Sequence, residues 1–438
     1  MIKSKVYGNG LKLVVDEMTG FESVAFNMFV KTGSVNEMPG EYGISHFIEH
    51  MLFKGTTTKS SFDISKTFDS LGAVINAYTS LEETDYYTKC AAENTEKCVE
   101  ILSDMFFNSV FDKKEMSREK QVVIEEIKMY DDDPQSKAEL LVNKNFYSGT
   151  PYARDVAGSI NSVKNLTQKK MFEYKNKFYV PQNLTLSFAG KINFETAQKF
   201  VEKYFLPNFK YKGEKVEKTF TPNQKNSFIK SFKDNEQSQV CISFPGLYRG
   251  DETIYTAKIF DVIFGHGMSC VLFQSIREKL GLVYTISSSV NQNTAGGDLT
   301  ISFATSNQNV EKALLEINNQ IDNVLKNGVS KEQFLDAKNN FINSIKLSFE
   351  NTSYVSLFNA KRFSLLNETL TKEQYIKKIE NVTYKNLIDY IKTRFSKNHF
   401  AVVVVGKNQN LNLKKYFKLN NWANIWICSF FMLWYMYN

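Results

Sequence analysis

The chain has 438 residues, a formal net charge of +7 at pH 7, 42% hydrophobic and 23% charged residues. That length exceeds one ordinary core and predicts two domains or more. The basic excess is mild, the lysines are evenly spread and no nucleic-acid-binding motif is present, which argues against a nucleic-acid partner. The five cysteines, Cys90, Cys98, Cys241, Cys270 and Cys428, are scattered, odd in number and without CxxC spacing. This excludes a disulfide framework and points to reduced thiols in a cytosol or a mitochondrial matrix.

In chain order, Met1 to Lys5 runs directly into an apolar alternation from Val6 to Val15, broken by Gly8-Asn9-Gly10. That reads as a strand hairpin, with no signal peptide visible. Next comes His46-Phe47-Ile48-Glu49-His50, inside an apolar stretch between Gly43 and Gly55. Residues four apart share a helical face, so His46 and His50 can close on one metal ion with Glu49 beside them. The order His-x-x-Glu-His is the inverted zinc-protease motif, in which the glutamate is a general base. Ile44, Phe47, Ile48, Met51 and Leu52 make this helix largely buried, and three ionisable groups there require a strong partner.

Ala73 to Ser80 alternates as a strand, with Tyr86 to Cys90 as its hairpin partner. Cationic peptide substrates would need an acidic cavity, and Glu82, Glu83 and Asp85, close to this strand, are the residues to supply one. Arg118 to Tyr130 reads as one helix. Arg118, Gln121, Glu125 and Lys128 form its wet stripe, leaving Glu119, Val122, Val123, Glu126 and Ile127 on the opposite side. Zinc needs a third protein ligand, and Glu126 or Glu119 is the residue that fits, with Glu125 a solvated bystander.

From Leu206 to Ser227 the apolar periodicity gives way to Lys, Glu, Asn, Thr and Pro, which marks a linker. The halves on either side carry matching apolar strands, Asn183 to Gly190 and Phe400 to Gly406, as an internal duplication would. In the second half, Met268 to Leu280 reads as a helix stopped by Gly281 and followed by a strand at Val283-Tyr284. His266 and His399 are isolated and read as solvent-exposed turn imidazoles. Trp422 to Asn438 is intensely aromatic but shorter than the roughly 20 residues that span a bilayer. Its contact with a membrane surface stays open.

Taken in order, His46 to His50, the following Met51-Leu52-Phe53-Lys54-Gly55-Thr56, and Glu126 resemble the pitrilysin and insulin-degrading-enzyme metallopeptidases. The resemblance is nearest to the beta subunit of mitochondrial processing peptidase and its bacterial homologues, and runs to about residue 410. It implies an α+β fold of two homologous domains, each an antiparallel or mixed sheet packed with helices. The domains are residues 1–208 (zinc-binding), a linker at 209–227, and 228–412, with an aromatic tail at 413–438.

The same resemblance implies one Zn2+ per chain held by His46, His50 and Glu126, with Glu49 as base and Glu119 as a supporting carboxylate. Asn76 and Ala77 are implied to take the substrate backbone as an added strand, while Arg277 and Tyr284 hydrogen-bond the substrate and the oxyanion. Val271 departs from the family, where many relatives have arginine. The implied activity is zinc-dependent endoproteolysis of extended or unfolded peptides, targeting or processing peptides among them. Two-domain length implies a homodimer, or a heterodimer with a related subunit. The rival reading is a non-catalytic structural or peptide-binding subunit of the same fold.

Overall fold

The structure is a computed structural model that describes residues 1–209, 226–394, 399–407 and 410–417. The expected linker, except at its ends, and the aromatic tail from 418 onward lie outside the described residues. Two mixed sheets organise the chain, as the resemblance implied.

The first contains β1 (Ile2–Val6), β2 (Lys12–Glu17), β3 (Ser23–Val30), β4 (Val74–Thr79), β5 (Thr84–Ala91) and β6 (Leu184–Gly190), in spatial order β1-β2-β6-β3-β5-β4. The predicted N-terminal hairpin is β1–β2, in register from Ile2 opposite Asp16 to Val6 opposite Lys12. β6 is buried along its whole length, with Leu184, Leu186 and Phe188 alternating with Thr185 and Ser187, and lies parallel to β2 and antiparallel to β3. β4 forms the outer edge, pairing with β5 from Val74 opposite Lys89 to Thr79 opposite Thr84.

The second contains β7 (Ser227–Phe232), β8 (Gln237–Pro245), β9 (Val283–Asn293), β10 (Gly296–Ser306) and β11 (Ala401–Gly406), in order β7-β11-β8-β10-β9. Strand for strand this repeats β2-β6-β3-β5-β4, including one parallel pair, β11 with β7, followed by antiparallel pairs. The internal duplication read from β6 and β11 thus extends to the topology of both sheets.

The compact units do not follow chain order. Among the described residues, one falls within Met1–Met129, Arg154–Lys218 and Ile345–Tyr375, the other within Tyr130–Ala153, Thr219–Ser344 and Ile376–Asn438. Each half of the chain has a long helix, Lys113–Asp132 or Lys331–Ser348, followed by a second helix, Pro134–Phe146 or Thr352–Leu366. These second helices are exchanged: Pro134–Phe146 packs on β8 and β11, and Thr352–Leu366 on β2, β3 and β6. In the first unit the exchange is sealed by paired hydrogen bonds, from Ser187 Oγ to the Ser356 carbonyl (2.7 Å) and from Ser356 Oγ to the Ser187 carbonyl (3.0 Å). Lys12 Nζ also donates to the Phe363 carbonyl at 2.8 Å.

The first unit buries its main core on the other face of the sheet. Val24, Phe26, Met28 and Val30 of β3 alternate inward there and meet Phe47, Ile48, Met51 and Leu52 from the helix Ile44–Leu52. Among the described residues, no helix is long and apolar enough to cross a membrane.

Candidate metal centre

The helix Ile44–Leu52 begins where Gly43 takes a left-handed φ of 89°. A side chain at that position would meet the Ala157 carbonyl oxygen at 2.5 Å, so glycine is required for space as well as backbone angle. The first free amides of the helix are taken up by one carboxyl group. Glu37 Oε2 accepts from the Gly43 amide at 2.8 Å and Oε1 from the Ser45 amide at 3.0 Å. With its start anchored and its apolar side buried, the helix presents His46, Glu49 and His50 from successive turns.

Facing it is the helix Lys113–Asp132. His46 Nε2 and His50 Nε2 are 3.2 Å apart, and Glu126 Oε2 lies 3.7 Å from the first and 3.6 Å from the second. These are the three side chains whose ligand atoms converge among the described residues. A tetrahedral zinc site with bonds of about 2.0–2.1 Å has ligand–ligand edges of about 3.4 Å, so the donor set fits. Burial, with the His50 charge adding to it, lowers the His46 pKa to about 3 and keeps its imidazole neutral, the state a metal ligand needs.

Glu119 stands behind His50. Its Oε1 is 2.9 Å from His50 Nδ1 and its Oε2 accepts from Lys54 Nζ at 2.7 Å. Burial favours the neutral acid, but the bonds from His50 and Lys54 outweigh it and hold the Glu119 carboxyl below its ordinary pKa. The anion in turn orients His50 with Nδ1–H toward Glu119, leaving Nε2 for the converging group. Burial alone would lower the His50 pKa, yet the Glu119 hydrogen bond and the Glu49, Glu126 and Glu119 charges carry it above the ordinary value. Glu49 is raised by burial against the opposing bond from Thr79, whose Oγ1 donates to Oε2 at 2.6 Å.

The two carboxylates of the second helix are thereby separated: Glu126 converges with the histidines, and Glu119 braces one of them. Glu125 is exposed and pairs with Lys128 at 2.7 Å, the bystander position expected. One expected neighbour is displaced, since Val122 is 51% exposed while Ile124 is buried. At about 100° per residue the buried arc centres on Met116, Val123 and Ile127, and Val122 falls beyond its Glu126 side.

Asn76 and Ala77 lie on the edge strand β4, with Asn76 exposed and its Oδ1 accepting from the Ala77 amide at 2.8 Å. The residues expected to line an acidic cavity nearby are closed off from solvent. Glu82, Glu83 and Asp85 are all buried; Glu83 pairs with Lys361 at 3.0 Å and Asp85 accepts from Asn27 Nδ2 at 2.6 Å. The exchanged helix Thr352–Leu366 supplies Lys361 and covers this patch, which spacing along the first half could not reveal.

In the second unit, the predicted helix before Gly281 is shorter than expected, with a π-helical turn over Phe273–Glu278, and Gly281 ends it at φ 59°. The Arg277 guanidinium lies over the Phe273 ring at 4.5 Å and the Tyr284 ring at 5.3 Å, and Tyr284 is 76% exposed at the start of the edge strand β9. The departure at Val271 is half-buried beside this turn. His266 is exposed as expected. His399 is not: it is buried and stacked on Phe146 at 5.0 Å, because the exchanged helix Pro134–Phe146 lies over it.

Sequence reasoning missed Glu37, Lys54 and Thr79. Lys54 is four residues beyond His50, and that spacing was a usable signal. No spacing rule singles out Glu37 or Thr79.

The family model described as Insulinase (Peptidase family M16) matches residues 13–159, and that described as Peptidase M16 inactive domain matches 165–341. The chain belongs to peptidase family M16. It is 32% identical over 411 residues to a Bacillus subtilis protein named "Uncharacterized zinc protease YmxG", covering 94% of this chain and 100% of that one. A zinc protease of the same description from Rickettsia felis is 33% identical over 396 residues, covering 89% and 93%. Among solved structures, a protease from Helicobacter pylori matches with a TM-score of 0.85 at 21% identity, covering 93% of this chain and 99% of that one. A Pseudomonas fluorescens structure described as a peptidase M16 inactive domain also scores 0.85, at 18% identity, covering 92% and 98%.

Proposed function

We propose that the protein is a zinc-dependent endopeptidase acting on peptides in extended form. The observation that carries this is the convergence of His46, His50 and Glu126 beside a buried Glu49, on the inverted motif. The names of the bacillary and rickettsial relatives support zinc and proteolysis. When bound, zinc supplies Lewis acidity, drawing the pKa of water toward about 7 and polarising a carbonyl. Glu49 takes the proton from the attacking water at the oxygen that Thr79 leaves free, then passes it to the departing amine.

Asn76 and Ala77 receive the substrate as a strand added to β4, which requires a free peptide backbone, so unfolded chains are the substrate class and folded proteins are poor substrates. Processing of targeting peptides falls within that class. Arg277 and Tyr284 donate to the substrate backbone and to the developing oxyanion. The test is cleavage of unstructured peptides by zinc-loaded protein. Chelator-sensitive cleavage restored by zinc, and a loss of about 10²–10⁴-fold in Glu49→Gln with zinc retained, are expected. A zinc-bound protein inert toward a peptide library would refute it.

The working assembly is a dimer, homomeric or with a related subunit, in which Arg277 and Tyr284 of one copy serve the metal centre of the other. Mixing Glu49→Gln with Arg277→Ala chains should restore activity to the pair, and no recovery would count against shared sites. Bacterial relatives and the four free, buried cysteines among the described residues support a reducing compartment, a bacterial cytoplasm or a mitochondrial matrix. Against the non-catalytic reading stands the presence together of His46, His50 and Glu126 with Glu49 between the histidines.

A further inference from the structure

We propose that Thr79 is a positioning residue for the general base, and that it ties the base to the strand on which the substrate is laid. The proposal rests on the peptidase reading above and adds to it the device that orients Glu49.

Among the described residues, Thr79 is the one hydrogen-bond donor to the Glu49 carboxylate, through Oγ1 to Oε2 at 2.6 Å. Thr79 is the last residue of β4, three positions after Asn76. Side chains alternate along a strand, so Ile75, Ala77 and Thr79 share one face, and Ile75 and Ala77 pack against the core that contains the Ile44–Leu52 helix. Val74, Asn76 and Tyr78 take the other face, where the Lys361 ammonium lies 5.4 Å from the centre of the Tyr78 ring. The strand thus offers its backbone edge outward while its inward face ends on the base.

The anchoring of Thr79 is the second observation. Directly after it, the Ser80 amide donates to the Glu83 carbonyl at 2.8 Å, the Ser34 amide to the Ser80 carbonyl at 3.2 Å and the Val35 amide to the Leu81 carbonyl at 2.9 Å. Glu83 is itself held by Lys361 at 3.0 Å. Gly33 permits this contact, since a side chain there would meet the Ser80 carbonyl oxygen at 2.3 Å. The braced end fixes Thr79, Thr79 fixes one carboxylate oxygen of Glu49, and the other oxygen is left for water. A peptide pairing with β4 is then aligned to the same rigid point as the base.

Orientation errors of about 1 Å can cost on the order of 10²-fold in rate without loss of binding, which gives the proposal a distinct signature. The experiment uses the full zinc-loaded protein and an unstructured fluorogenic peptide, comparing Thr79→Val, Thr79→Ala and Thr79→Ser. Valine keeps the shape and removes the donor; serine keeps the donor. Expected are a fall in kcat of about 10- to 100-fold for valine and alanine, with KM and zinc stoichiometry unchanged, and serine within about threefold of the parent.

The proposal is overturned if valine or alanine leaves kcat unaltered, if KM rises while kcat holds, or if serine is as slow as valine. Should valine fail to fold, alanine decides by the same criteria. A parent protein that binds zinc and cleaves nothing overturns the peptidase reading instead, so the two failures are told apart.

Discussion

Replacing Glu37 by glutamine should remove that residue's own contribution to the pH dependence of stability. Glu37 is 2% exposed, and burial pushes its pKa to about 8, against the opposing bonds from the Ser45 and Gly43 amides and the Arg154 charge. A carboxyl whose folded pKa exceeds its unfolded value of 4.5 binds a proton in the native state that the unfolded chain has released. Between about pH 4.5 and 8, therefore, stability falls as pH rises, and below that window the group contributes no slope. At about 1.4 kcal/mol per unit, the interval amounts to about 5 kcal/mol.

Glutamine is neutral throughout and keeps one acceptor for the helix amides, so its variant should lose stability at pH 5 and close the gap toward pH 8. The assay is urea unfolding of chelator-treated protein followed by circular dichroism across that range, which keeps zinc binding out of the measurement. Parallel pH profiles for parent and variant would refute the reasoning. They would mean that the two amides and Arg154 hold Glu37 ionised at an ordinary pKa.

Glu119→Gln should weaken zinc binding about 10- to 100-fold, because the amide no longer fixes His50 and leaves Lys54 unpaired; competition with a metal indicator measures it, and unchanged affinity would exclude the bracing role. Gly33→Ala should displace the turn after β4, since the added methyl has the Ser80 carbonyl in its place. Lowered hydrogen-exchange protection at Ser34 and Val35 with an intact second unit is expected, and unchanged protection would show that the turn yields cheaply.

Much of the metal centre was legible because its information is local. His46, Glu49 and His50 lie within one and a half turns of helix, and the order of β4 and β5 follows from alternation across a short turn. The choice between Glu119 and Glu126 was not local: both share a helix face, and only packing against His50 and Lys54 separates them. Thr79 and Glu37 were invisible for the same reason, being joined to the site by contacts across 30 and 6 to 8 residues that no period encodes. From sequence His399 reads as exposed, and Glu82, Glu83 and Asp85 as the lining of an acidic cavity, because their covers, Phe146 and Lys361, come from the opposite half of the chain. Sequence pattern reports that a surface is polar or apolar; it does not report which distant helix will lie on it.

The exchanged helices make the two halves mutually dependent during biogenesis. The first sheet emerges from the ribosome long before residues 345–375 can roof it, so one of its faces waits for chain that is synthesised almost last. A truncated product ending in the linker would carry an unroofed sheet together with a helix that has nowhere to dock. Severed halves produced side by side, by contrast, hold complementary roofs and should find each other, as fragments of an interlocked puzzle do.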